Sequence, residues 1–130
     1  MTGHKKHKEN MRPHEKLDVW IRAVDFVVAV YTATNEFPSD ERFGLTSQIR
    51  RAAVSVPANI AEGAARKTAK EFLQFLSIAQ GSSSEVETEL LIALKLGFLT
   101  KENYEELMQE IESIGRMLIG LSNHVKGQIN

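Results

Sequence analysis

Apolar residues recur three and four positions apart along most of the chain, a period that predicts an all-helical protein. Over residues 17–34, Leu17, Trp20, Ile21, Val24, Val27, Val28 and Tyr31 hold that spacing. A second apolar stripe, Val19, Ala23, Phe26 and Val30, runs along the same segment, leaving Asp18, Arg22 and Asp25 as its polar strip. A helix apolar over most of its circumference is buried on more than one side. In a bundle of this size one side meets the core. The other needs a partner, most simply a second subunit, and Val19, Phe26 and Val30 are assigned to that interface.

Residues 35–44, punctuated by Pro38 and Gly44, read as a connection. A second helix is expected from 45 or 46 to 66, with Leu45, Ile49, Ala53, Val56, Ile60 and Ala64 on its core face. Pro57 inside it removes a hydrogen bond to the carbonyl of Ala53, so a kink is expected there. Gly63 suggests close backbone packing or fraying. Thr68-Ala69-Lys70-Glu71 is a capping box that opens a third helix, ending at Gly97. The Gln80-Gly81-Ser82-Ser83-Ser84 run has a loop's composition. The apolar phase of Phe72, Leu76 and Ala79 nevertheless continues through it to Val86, Leu90 and Leu94, so it is read as helix. Thr100 caps a fourth helix with a seam of Tyr104, Leu107, Ile111, Ile114, Leu118, Leu121 and Val125 and a polar opposite face. Four long helices on short links predict an all-α, antiparallel up-down-up-down four-helix bundle, oligomeric, over residues 15–127. The basic, aperiodic residues 1–14 are expected to be a disordered tail.

The chain has 130 residues and a net charge of −1, so the molecule as a whole does not attract a polyanion. Any such attraction must be local. The absence of cysteine removes disulfides and thiolate chemistry and fits a cytoplasmic location. No apolar stretch reaches membrane-spanning length, and no membrane contact is expected.

Catalytic signals are poor. The chain lacks a phosphate-cradling glycine loop, an HExxH pair and a serine elbow, and no enzyme activity, cofactor or metal is expected. His4 and His7 are a weak pair on a floppy tail. Glu85 and Glu89 lie one turn apart, but no histidine falls between His14 and His124 to complete a di-iron set, so they read as a solvated or ion-paired acidic strip. The better candidate is the set Arg50, Arg51, Asn59, Glu62, Arg66, Lys67 and Lys70. Glu62 and Arg66 have the spacing of a helix ion pair. On a purely structural account, Asn59 and Glu62 serve the freed carbonyl below Pro57 and a neighbouring arginine. On a functional one, Arg50, Arg51, Arg66, Lys67 and Lys70 meet phosphates, helped by Lys5, Lys6, Lys8, Arg12 and Lys16. No aromatic residue is interleaved with these cations in the sequence, which argues against base stacking.

The strings Leu45-x-x-Gln48-Ile49-Arg50-Arg51-Ala52, Ser55-Val56-Pro57-Ala58-Asn59-Ile60-Ala61-Glu62-Gly63 and Glu71-Phe72-x-x-Phe75-Leu76-x-x-Ala79-x-Gly81-Ser82-x-x-Glu85, with Leu17-x-Val19-Trp20 before them, resemble a bacterial family. It is the family of four-helix-bundle proteins encoded in intervening sequences of 23S ribosomal RNA genes. The resemblance covers nearly everything after the tail. It implies a homopentamer shaped like a short barrel, with Asn59, Glu62 and Gly63 marking bundle and interface architecture. It also implies kinship with the accessory variability determinant of diversity-generating retroelements, a basic pentamer that binds nucleic acid and a reverse transcriptase. The near-neutral charge sets this chain apart from that branch. The expectation is therefore a non-enzymatic, self-assembling bundle that binds RNA or DNA, ribosomal RNA among the candidates, through helix two and the tail. The alternative is a scaffold or adaptor for a protein partner.

Overall fold

The computed structural model describes residues 10–129. Four helices follow one another: α1 (Asp18–Thr34), α2 (Leu45–Ala64), α3 (Ala69–Lys95) and α4 (Lys101–Lys126). Each packs on the next, and α4 returns to α1, so the helices stand at the corners of a four-sided bundle. Among the described residues, no helix is long and apolar enough to cross a membrane.

The caps lie where the residue chemistry requires. Thr68 Oγ1 accepts the Glu71 amide at 3.1 Å, and Thr100 Oγ1 accepts that of Asn103 at 3.1 Å. The Glu71 carboxylate accepts from the Thr68 hydroxyl at 3.0 Å. Gly97, at φ +79°, closes α3: its amide donates to Leu94 O, and that of Phe98 to Ala93 O. The Phe98 ring then meets Phe37, 5.6 Å between centroids, and seals that end of the core.

Between α2 and α3 the residues are small. Ala52 and Ala53 are buried on α2, as are Ala79, Ser82 and Ser83 on α3, and the hydroxyls of Ser55 and Ser82 bond at 2.8 Å. This contact explains why the serine-rich run stays helical: its buried members let the backbones approach. Gly63 marks a second point of close approach. A Cβ there would lie 2.6 Å from Phe75 Cβ and 2.9 Å from Phe72 Cδ1. Helix α2 passes through the buried Pro57 without a break and stops at Ala64, two residues short of the expected end.

One expectation is reversed. Val19, Phe26 and Val30 are not an interface stripe. They are core, with Phe26 2% and Val30 0% exposed. The other stripe of α1, Ile21, Val24, Val28 and Tyr31, is left outside. Two clamps set this rotation. On one flank Arg22 reaches Glu110 of α4 at 2.7 and 3.0 Å. On the other, Arg50 of α2 holds the C-terminal turn of α1. The stripe between the clamps must point inward.

The end of the expected tail is folded. Pro13–Lys16 form a 3-10 turn packed on α1 and α2, with His14 edge-on to Trp20 at 4.9 Å. His4, His7, Lys5, Lys6 and Lys8 lie outside the described residues.

Phe26→Ala should therefore cost about 3–5 kcal/mol of folding stability, and Gly63→Ala about 1–3 kcal/mol by overpacking against α3. Urea unfolding measures both; a neutral Phe26→Ala would contradict the core assignment.

Candidate functional site

The antiparallel topology sorts the charges. The start of α1, the end of α2, the start of α3 and the end of α4 meet at one end of the bundle. That end collects Arg12, Lys16, Arg66, Lys67, Lys70 and Lys126, with His14 and His124. Its acids, Glu15, Asp18, Glu62 and Glu71, are fewer. Glu71 bonds within its cap, and Glu62 holds Arg66 at 3.3 Å. The opposite end carries Glu36, Asp40, Glu41, Glu102, Glu105 and Glu106 against Arg42, Arg50, Arg51, Lys95 and Lys101, so its charges nearly balance. A near-zero net charge thus hides a basic pole.

At the basic pole, Arg12, Pro13 and His14 from the leading turn face Ala61 and Glu62 of α2, and Ala65 and Arg66 just beyond it, across a shallow cleft of about 600 Å³. The Arg66 guanidinium also lies over the Phe75 ring at 4.7 Å. Lys67 and Lys70 stand exposed beside it in the turn and at the start of α3. Of the cations picked from sequence, Arg66, Lys67 and Lys70 are thus gathered together, and Arg12 joins them.

Arg50 and Arg51 lie elsewhere, near the other end. Arg50 is engaged inside the fold: Nε donates to Thr34 Oγ1 at 2.8 Å, and a terminal nitrogen to Tyr31 O and Asn35 Oδ1 at 3.3 and 3.2 Å. It neutralises the negative end of the α1 dipole and stacks on Tyr31 at 4.4 Å. This removes it from the phosphate-binding set, because its donors point into α1. Asn59 donates to Ser55 O and Oγ at 2.8 and 2.9 Å, two residues short of the Ala53 carbonyl expected for it.

Sequence reasoning missed the aromatic partners of the arginines. Besides the two stacks above, Arg42 lies over Phe43 at 5.2 Å, and Phe43 is 88% exposed. Tyr31, Phe43 and Val54 line a cleft of about 440 Å³ with Arg42, Arg50 and Arg51. The Arg42-Phe43 pair was visible as adjacent letters. The meeting of Tyr31 with Arg50 needed the packing of α1 on α2.

The acidic strip is also less solvated than expected. Burial, with a smaller push from the Glu85 charge, raises the Glu89 carboxyl to about 7, and its Oε1 is shut from solvent without a donor. Glu87 is raised too, first by burial and then by Glu112 across the α3/α4 groove.

This is an antiparallel helical bundle with a basic pole and an uncovered apolar side. The chain belongs to the 23S rRNA-intervening sequence protein family, which matches residues 15–120. A solved structure from Bacteroides thetaiotaomicron, a protein of unknown function from the S23 ribosomal protein family, is similar at TM-score 0.73 and 25% identity, covering 80% of this chain and 97% of its own. A search of curated proteins finds no match.

Glu89 makes the stability of the single subunit pH-dependent. Its folded value lies above its unfolded one, near 4.3. The stability it contributes when protonated is full below that value and lost as pH rises through about 7. Glu89→Gln should flatten this decline in urea titrations of dilute protein between about pH 5 and 8. An unchanged slope would assign the decline to another group.

Proposed function

We propose that this protein is a non-catalytic, self-assembling helical bundle of the cytoplasm that presents a basic pole to nucleic acid. The charge sorting at the end formed by Arg12, Arg66, Lys67 and Lys70 carries the reading. Phosphate binding by lysine and arginine is additive and needs no deep pocket. Rotationally related copies would set their basic poles on one side of the assembly and multiply the local field. Five copies is the number that the family resemblance implies.

Self-assembly is supported by the outer side of α1. Ile21, Val24, Val28 and Tyr31 form an exposed stripe with coiled-coil spacing, and Val28 is 62% exposed. Phe43 and Val54 extend it onto the α1–α2 connection and α2. A contiguous apolar face is a liability on a monomer and an asset at an interface. The part of α1 that meets the neighbour is thus the stripe opposite the one chosen from sequence. The phosphate contacts are likewise reassigned to Arg66, Lys67 and Lys70 with Arg12, and Arg51 sits apart from them.

Two measurements test the reading. Labelled structured RNA titrated at several salt concentrations should show affinity that falls steeply with salt. Alanine at Arg66, Lys67 and Lys70 together should weaken binding and reduce the log–log slope by roughly 2–3. Absence of binding at low salt would refute the nucleic-acid assignment and leave the scaffold reading. In sedimentation, Val28→Asp should dissociate the assembly while helix content by circular dichroism stays at the wild-type level.

A further inference from the structure

Two neighbouring sides of the bundle are complementary. The α1/α2 side carries the apolar stripe just described and ends in the projecting Arg42-Phe43 pair. The α2/α3 side carries exposed Ile78, Ile92 and Leu96 along α3. Between α2 and α3 on that side lies a polar cleft of about 280 Å³ that holds Glu85 and Glu89. Glu89 keeps one carboxylate oxygen away from solvent without a hydrogen-bond donor. Arg51 shares the cleft yet makes no ion pair with either acid among the described residues.

We propose that the α2/α3 cleft is the socket for Arg42 of a second copy of this chain, with Phe43 of that copy packed on Ile92 and Leu96, so that subunits join head to tail. This rests on the self-association reading and specifies its contact. Charge complementarity supports it: an arginine fork matches a carboxylate pair, and a cation at the socket supplies the counter-charge that neither Glu85 nor Glu89 finds within the single chain. The upward displacement of the Glu89 carboxyl agrees with a group awaiting a counter-charge.

The levels along the bundle agree as well. Arg42 and Phe43 share their cleft with Ser47 and Arg51, and the socket is lined by Gln48 and Arg51. Knob and socket therefore stand at the same height on α2. Rotation about an axis parallel to the helices preserves height and brings one opposite the other. The two sides meet at the α2 corner, about a right angle apart in a four-sided bundle. A head-to-tail contact between such sides closes after about four or five copies. In that ring α2 faces the axis and α4 faces outward, which agrees with the polar outer face of α4.

Sedimentation velocity over a concentration series tests the contact. Glu89→Gln and Phe43→Ala should each weaken association at least about tenfold while helix content stays unchanged. Glu89→Gln should at the same time make the dissociated subunit more resistant to urea at pH 8, so a folding defect cannot mimic the loss. Arg42→Glu should also dissociate the assembly, and combining it with Glu89→Arg should restore association above either single change. If Val28→Asp breaks the assembly while Glu89→Gln and Phe43→Ala leave it intact, self-association stands and this contact is wrong. A reversal pair no better than its singles would also overturn it. A wild-type monomer would overturn both readings.

Discussion

A four-helix bundle has one interior, and each helix can turn only one stripe toward it. Helices α2 and α4 largely respect that limit, while α3 leaves Ile78, Ile92 and Leu96 outside. Helix α1 exceeds it. It carries two apolar stripes, and the fold can bury only the one that falls between Arg22 and Arg50. Fully burying a valine or isoleucine side chain is worth roughly 1.5–3 kcal/mol, so the excluded stripe of Ile21, Val24, Val28 and Tyr31 leaves a substantial driving force outside the single chain.

The two arginines that set the rotation of α1 also show how side-chain identity translates into architecture. Arg22 is ion-paired to Glu110 on α4, and Arg50 binds backbone and side-chain oxygens at the end of α1. Each is partly exposed and contributes modestly to stability. Their consequence lies in specificity: an apolar stripe of similar hydrophobicity on either side of α1 would otherwise give two competing registers. On the other side of the bundle, the close α2–α3 contact at Gly63, Ser55 and Ser82 sets the separation of the walls that flank Glu89.

The charge distribution has the same origin in topology. Antiparallel helices cancel one another's dipoles, so the field at each end comes from the side chains placed there. The α2–α3 turn brings Arg66, Lys67 and Lys70 to the same end as Arg12 and Lys126. A chain of nearly zero net charge thereby carries a local excess of positive charge at one pole.

The number of helices, the caps of α3 and α4 and the small-residue contact were legible in the sequence. Those properties are local or periodic: a Thr68 hydroxyl three residues before Glu71, a glycine at 97 that tolerates positive φ, a phase that runs unbroken through 80–84. The family strings were likewise legible as letters. Which of the two α1 stripes is interior was undecidable from periodicity, since both repeat equally well. Only partners from α2 and α4, far away in the chain, chose between them. The same holds for the site. Lys67 and Lys70 were recognisable as a basic turn, whereas the engagement of Arg50 with Tyr31, the exposure of Phe43 and the bare oxygen of Glu89 arise where separate helices meet, and only the tertiary structure brings those groups together.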